Sequence, residues 1–150
     1  MKKNIAQKFS IILSVLIVIL IVLSFVHESF WIKQMLKKPR YTVAEATTDW
    51  HQKNNNGVGT DYKYRVKDKI YFATTNCSYQ KGDQFLIIFD SLKPKNAKVL
   101  GIYSIENYLI DLKIPVNGWK YEDVPFKIDS NTIKKYVQDG NIEPFEYDQE

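Results

Sequence analysis

The stretch Phe9–Val26, FSIILSVLIVILIVLSFV, decides how the rest of the chain is organised. These eighteen residues carry no charge, no proline and no glycine, and only three serines interrupt the apolar run. At about 1.5 Å of rise per residue, a helix of this length crosses most of a hydrocarbon core roughly 30 Å thick. The pattern predicts a transmembrane helix, so we expect the later residues to form a domain held at a membrane surface.

The flanks of the apolar run favour an uncleaved anchor over a cleavable signal peptide. A signal peptide has an apolar core of about 7–15 residues, followed by small residues at the cleavage site. Here the run is longer and leads into His27, Glu28 and Phe30, with no A-x-A-like site. The residues that we expect to hold the membrane anchor in lipid or at its interface are Phe9, Ile12, Leu16, Leu20, Leu23, Val26 and Trp31.

The distribution of lysines around the anchor predicts its orientation. Residues 1–8 form a basic N-terminal tail, and residues 27–40 read as an interfacial helix or linker that Pro39 ends. Lys8 abuts the apolar run, whereas Lys33 lies seven residues beyond it. Because lysines close to a span favour the cytoplasmic side, we expect a single-pass membrane protein with its N-terminus inside and its domain outside the cytoplasm.

The positive charge of the chain belongs to the anchor and not to the domain. Residues 1–40 carry seven basic side chains and one acidic, and residues 41–150 carry fourteen basic and sixteen acidic. Anionic headgroups attract basic flanks, whereas a nucleic-acid binder carries positive charge on its folded domain. The charge pattern therefore predicts a lipid bilayer as partner, with another membrane or envelope protein as a further candidate, and argues against nucleic acid. The single cysteine, Cys77, excludes an internal disulfide.

A β-hairpin is the clearest pattern in residues 41–105. After a predicted strand at Tyr41–Trp50, residues 61–67 alternate strictly, with Tyr62, Tyr64 and Val66 on one face. A period of two predicts a half-buried strand, and Ile70–Asn76 supplies its partner across a turn at residues 67–69. The opposite face carries Lys63, Arg65 and Lys67, a candidate surface for lipid headgroups or a protein partner, although a plain solvated face fits the same pattern.

The remaining elements complete a mainly β domain. Phe85–Phe89, FLIIF, is a continuous apolar run that predicts a central strand buried on both faces. Lys98–Ile105 reads as a fifth strand, and a short helix is expected near residues 130–139, within an extension covering residues 106–150. Five short strands with tight turns predict a small antiparallel five-stranded β-barrel or roll over residues 41–105.

The middle of the chain also resembles a known kind of protein. The pattern combines Tyr62-x-Tyr64-x-Val66 with the run from Gly82-Asp83 through Phe85, Leu86 and Ile87 to Pro94-x-Asn96. It is similar to an uncharacterised bacterial family of single-pass membrane proteins that carry a small β-barrel domain of unknown function. The resemblance covers about residues 41–105 and implies the same architecture, without catalytic residues to carry over.

The sequence offers little support for catalysis. A metal site needs His, Cys or carboxylate ligands grouped at short spacing, and His51 and Cys77 lie 26 residues apart with no second His or Cys beside either. No phosphate-binding or dinucleotide-binding motif is present, so we expect no cofactor. The sequence favours a membrane-tethered, non-enzymatic binding or interaction module. An accessory or immunity-type protein that blocks a partner at the membrane is an alternative, and a hydrolase using Cys77 and His51 is a weaker one.

Overall fold

The structure is a computed structural model that describes residues 2–52, 57–105 and 112–139. The predictions for residues 106–111 and 140–150 of the C-terminal extension fall outside the described residues. The elements in chain order are α1 (Lys2–Lys37), β1 (Pro39–Ala46), β2 (His51–Gln52), β3 (Val58–Val66), β4 (Lys69–Thr75), β5 (Gln84–Asp90), β6 (Ala97–Val99), a 3-10 turn (Tyr121–Asp123) and α2 (Ser130–Asp139).

Helix α1 runs without interruption through the predicted span and linker and ends just before Pro39. A proline lacks a backbone N–H and restricts the residue before it, which is why the helix stops there. The side chains of its apolar run are exposed, whereas Ile32 and Met35 near its C-terminal end are buried. One end of α1 is therefore part of the folded domain, and the rest projects from it.

The strands form a single antiparallel sheet in the order β4-β3-β1-β5-β6, with short β2 pairing with the start of β3. The predicted hairpin is confirmed, because β3 and β4 pair in register from Thr60 opposite Thr75 to Val66 opposite Lys69. The predicted central strand is also confirmed. β5 pairs with β1 on one side and with β6 on the other, and Phe85–Asp90 is buried throughout.

The sheet curls toward the face that carries its aromatic side chains. On this face the rings of Tyr62 and Phe85, from β3 and β5, meet with their centroids 5.5 Å apart. Strands β3 and β5 are not neighbours, since β1 lies between them. β1 contributes the small side chains of Ala44 and Ala46 to this cluster, so there is room for the flanking rings to close over them.

The prediction of a barrel was wrong, because the curled sheet stays open as a half-barrel. Among the described residues, β4 pairs with β3 alone and β6 with β5 alone, so the two edges do not meet. The open side is filled by chain that is not sheet. Tyr79 stacks on Phe85 at 4.1 Å between ring centroids, and the Tyr64 hydroxyl donates a hydrogen bond to the Pro94 carbonyl.

Two predicted strands are shorter than expected. β1 ends at Ala46, because the Thr47 hydroxyl donates to the Asp61 carbonyl and the Thr48 hydroxyl accepts from the Asp61 N–H. The Thr47 N–H still donates to the Asp61 carbonyl at 2.8 Å, but the Asp61 N–H is bonded to the Thr48 side chain and not to the backbone of β1. The fifth strand ends at Val99, and the chain turns at Gly101 instead of continuing to Ile105.

Helices cover the opposite face of the sheet at β1 and β5. Ile32 and Met35 of α1 pack with Ile133 and Val137 of α2 in one buried cluster. Its other members are Tyr41, Leu86, Ile88, Leu100, Ile105, Trp119 and Phe126. The predicted C-terminal helix is confirmed as α2, and its N-terminus is capped by Asp129, whose carboxylate accepts from the Thr132 N–H. The C-terminal end of α1 and the sheet domain thus share one hydrophobic core.

Gly118 allows the segment before Trp119 to lie against the edge of β1. Tyr41 and Trp119 exchange two backbone hydrogen bonds of 3.0 and 2.8 Å, at a position on β1 that is no longer paired with β3. Gly118 has a φ of +70°, and a Cβ there would lie 2.6 Å from the Tyr41 carbonyl oxygen and 2.8 Å from the Phe89 ring. Only glycine fits this position without a shift of backbone and ring.

We expect Gly118→Ala to lower the free energy of unfolding by about 2–4 kcal/mol, since positive-φ strain and overpacking add. The control is Gly82→Ala, where φ is +95° but no atom lies within 4 Å of the added Cβ. It should cost about 1 kcal/mol, the strain alone. Urea denaturation of the full chain in detergent measures both. Equal losses would show that the close approach of Gly118 to Tyr41 has no energetic weight.

Candidate functional site

The predicted anchor residues on the apolar run lie on a bare helix surface. Phe9, Ile12, Leu16, Leu20, Leu23 and Val26 are all exposed. The helix near the N-terminus is long and apolar enough to cross a membrane, by length and composition. No described part of the chain covers these side chains, and a contiguous apolar surface of this kind marks a site of contact with lipid or another protein.

Trp31 begins the contact between helix and domain. The Lys98 ammonium lies 5.5 Å from the centre of the Trp31 ring and donates to the Val137 carbonyl of α2 at 3.3 Å. This contact starts five residues after Val26, which is about 8 Å along a helix and close to the depth of a headgroup layer. Because α1 is a continuous helix from Val26 to Trp31, the position of the helix fixes the position of the domain.

The predicted basic face is present on the outer side of the hairpin. Tyr62, Tyr64 and Val66 are buried, while Arg65 and Lys67 are exposed and Lys63 is partly exposed. Lys63 forms an ion pair with Glu45 of β1, 3.0 Å between Nζ and Oε1. An exposed pair of this kind contributes little to stability, with a median of about 0–1 kcal/mol, but it reduces the local charge. Arg65 therefore carries the free positive charge of the strand face, and Lys67 adds an exposed charge in the adjoining turn.

Strand β4 adds two apolar side chains to that basic face. In the β3–β4 register, Phe72 lies opposite Lys63 and Ile70 lies opposite Arg65. Phe72 is 74% exposed and Ile70 is 44% exposed. Opposed residues in an antiparallel pair project to the same side of the sheet. We call Lys63, Arg65, Ile70 and Phe72 the outer hairpin face.

Sequence reasoning missed the contribution of Ile70 and Phe72. It predicted the strand Ile70–Asn76 but did not say which of its side chains are buried. That depends on which side of the sheet the helices cover. The signal was present in the tight turn at residues 67–69, which sets the register of the hairpin and so places Phe72 beside Lys63. At this turn Lys67 has a φ of 56°, and its N–H donates to the Val116 carbonyl.

Cys77 and His51 occupy different surroundings. The Cys77 side chain is half-buried at the edge of the aromatic cluster. Its polar neighbours include the Tyr79 and Tyr136 hydroxyls, and a Cβ on Gly101 would lie 3.5 Å from its sulfur. His51 is exposed in β2, opposite Gly59. Within the described residues no hydrogen bond joins the Cys77 thiol to His51, so the geometry gives the predicted thiol–imidazole pair no support.

Several tyrosines have pKa values above the usual value near 10. Burial is the main cause that raises the pKa of Tyr62 to about 12, and burial with nearby Tyr121 raises the pKa of Tyr41 to about 12. Burial also raises the pKa values of Tyr64 and Tyr79. These phenols stay neutral at physiological pH and act as core residues. Across residues 2–52, 57–105 and 112–139, no group of three or more His, Cys, Asp or Glu side chains is placed to hold a metal ion.

Comparisons of the chain with protein-family models, with curated proteins and with solved structures found no match. The resemblance of residues 41–105 to an uncharacterised bacterial membrane family stays a prediction. The outer hairpin face and the bare surface of α1 are therefore the features on which a function must be argued.

We expect the stability of the domain to fall between pH 10 and pH 12. Tyrosine ionises near pH 10 in an unfolded chain, whereas Tyr41 and Tyr62 ionise near pH 12 in the fold. In this window the folded state holds protons that the unfolded state releases, so rising pH favours unfolding. The double variant Tyr41→Phe/Tyr62→Phe should lose less stability than the wild type between pH 10 and pH 12 in denaturant titrations. A fall as steep as that of the wild type would contradict this assignment.

Proposed function

We propose that the protein is a single-pass membrane protein whose domain is a non-enzymatic binding module, held outside the cytoplasm against the bilayer. The observation that carries the proposal is the outer hairpin face, where exposed Phe72 and Ile70 lie among basic side chains on a domain with an apolar anchor. Full burial of a phenylalanine side chain is worth about 1.5–3 kcal/mol. A partner that covers this face would recover that energy and could pair with Arg65.

The attachment of the domain to α1 supports action at the membrane surface. The contact of Trp31 with Lys98 lies about 8 Å beyond the apolar run, so a membrane-spanning α1 would hold the domain at headgroup level. The burial of Met35 and Ile32 removes any flexible linker at this point. A partner that reaches the outer hairpin face would thus be one that is itself in, or close to, the same membrane.

The mixed character of the face favours a protein partner. Arginine and large aromatic side chains are the groups that carry most binding energy at protein interfaces. On the outer hairpin face Phe72 and Arg65 are such groups, Ile70 adds apolar area, and Lys63 is already paired with Glu45. The accessory alternative, in which the module blocks one specific partner, would use the same surface and would show one partner at fixed stoichiometry.

The orientation of the domain is tested by labelling with a membrane-impermeant maleimide. In a Cys77→Ser background, Leu92→Cys places a thiol on the domain and Gln7→Cys places one before the apolar run; both positions are exposed. We expect the cysteine at position 92 to react in intact cells stripped of any wall, and the cysteine at position 7 to react only after lysis. The reverse pattern would place the domain in the cytoplasm.

The binding surface is tested by a charge reversal with a matched control. Arg65→Glu reverses a charge on the outer hairpin face, and Lys93→Glu makes the same change at another exposed position. After mild crosslinking in membranes and purification of the full chain, we expect Arg65→Glu to reduce the copurified partner about tenfold or more, the loss typical of an interface hot spot. Lys93→Glu should retain it. Equal retention by both variants would refute the proposed surface.

A further inference from the structure

Strand β4 is a long free edge on an open sheet. All seven of its residues pair with β3, and among residues 2–52, 57–105 and 112–139 no strand pairs with its other side. The opposite edge of the sheet is different. β6 has three residues, and the Lys98 side chain within it donates to α2. A strand edge presents backbone N–H and C=O groups that can pair with another chain.

Few of the features that usually protect a strand edge are present in β4. Its sequence, KIYFATT, holds one charged residue, Lys69, at its first position, and no proline. The register with β3 is continuous from Lys69 to Thr75, so no bulge twists the edge away. Natural sheets blunt exposed edges with charges, prolines or bulges. An edge with so little protection indicates that it is covered in the assembled protein.

We infer that β4 pairs with β4 of a second copy of this chain, in an antiparallel arrangement centred on Phe72. Phe72 is the middle residue of the seven, so the register that pairs the whole strand places Phe72 opposite Phe72 of the second copy. In the same register Tyr71 lies opposite Ala73, Ile70 opposite Thr74, and Lys69 opposite Thr75. A shift by one residue would mix the two faces of the sheet.

The chemistry of each opposed pair supports a second copy as the occupant. On the aromatic face, Tyr71 is large and stacks on Tyr64 with centroids 5.4 Å apart, and the residue opposite it is a small alanine. On the outer face, an aromatic pair forms at the two-fold axis, flanked by β-branched Ile–Thr pairs, which are favourable cross-strand neighbours. The single charge of the strand, Lys69, faces a neutral threonine. No like charges oppose one another.

The membrane anchor supplies the concentration that such a small interface needs. One strand pair buries less area than a stable soluble dimer, for which about 1,600 Å² is usual. Two copies in one bilayer meet at a raised effective concentration, because the tether removes part of the cost of association. In this respect the inference rests on the proposed function. With both anchors in the same bilayer, the two-fold axis runs along the membrane normal, and the two outer hairpin faces join into one surface.

Disulfide crosslinking tests the register. In a Cys77→Ser background, Phe72→Cys and Thr74→Cys each place one thiol on β4, and both native side chains are exposed. In the inferred dimer the Cα atoms of residue 72 lie about 5 Å apart across the axis, and those of residue 74 about 14 Å apart. A disulfide needs Cα atoms within about 7 Å. With a mild oxidant and the full chain in liposomes, we expect the position 72 variant to crosslink at least tenfold faster.

Oligomeric state in liposomes supplies the second measurement. With one fluorophore on each wild-type chain, single spots should bleach in two steps at low protein-to-lipid ratios, one step for each copy in the dimer. Phe72→Lys, which brings two positive charges together at the axis, should shift dimerisation to at least tenfold higher protein density. The control is Leu92→Lys, at a residue 72% exposed against 74% for Phe72, and it should behave as wild type.

The results separate this inference from the proposed function. A wild-type monomer, equal crosslinking at positions 72 and 74, or equal effects of the two lysine variants would each overturn the dimer. If such a monomer still lost its partner through Arg65→Glu, the binding module would stand without the dimer. A dimer that captures no partner at Arg65 would support the strand pairing and overturn the proposed binding surface.

Discussion

The structure depends on the small side chains at the centre of the sheet. Ala44 and Ala46 of β1 allow the rings of β3 and β5 to meet over them, and this contact curls the sheet. Larger residues there would hold the flanking strands apart and flatten the aromatic cluster. The aromatic rings hold the sheet curled, and Tyr79 and the Pro94 loop cover its open side. The aromatic cluster is therefore enclosed although the two edge strands do not pair with each other. The free edge of β4 follows from this arrangement.

The same strand connects the domain to the anchor. β1 begins two residues after α1 ends, and its opposite face packs under the cluster that buries Ile32 and Met35. Anchor and sheet are thus two parts of one core and move together. For the proposed membrane module, a rigid junction would fix which surfaces of the domain a membrane-bound partner reaches. A flexible linker would leave that choice open.

The outer hairpin face combines residues that the sequence pattern predicts with residues that only the structure places there. The basic residues of β3 are visible in the sequence as a strict alternation, and the structure places them as expected, opposite buried Tyr62 and Tyr64. Ile70 and Phe72 join them only through hairpin register, and their exposure depends on the helices covering the sheet elsewhere. A polar strand face thereby becomes a mixed apolar and basic surface, which is better suited to a protein partner than to solvent alone.

The sequence by itself determined the elements with strong periodicity or length: the apolar helix, the β3–β4 hairpin, the buried central strand and the capped helix α2. Local patterns suffice for these because hydrophobic period, turn residues and caps act over a few neighbours. Only the tertiary structure decided that the sheet stays open, that β1 and β6 stop early, and that Phe72 is exposed. Each of these depends on contacts between residues far apart in the chain. Examples of such contacts are Ala44 under the rings, Asp61 against Thr48, and Gly118 against Tyr41. No local sequence period encodes them.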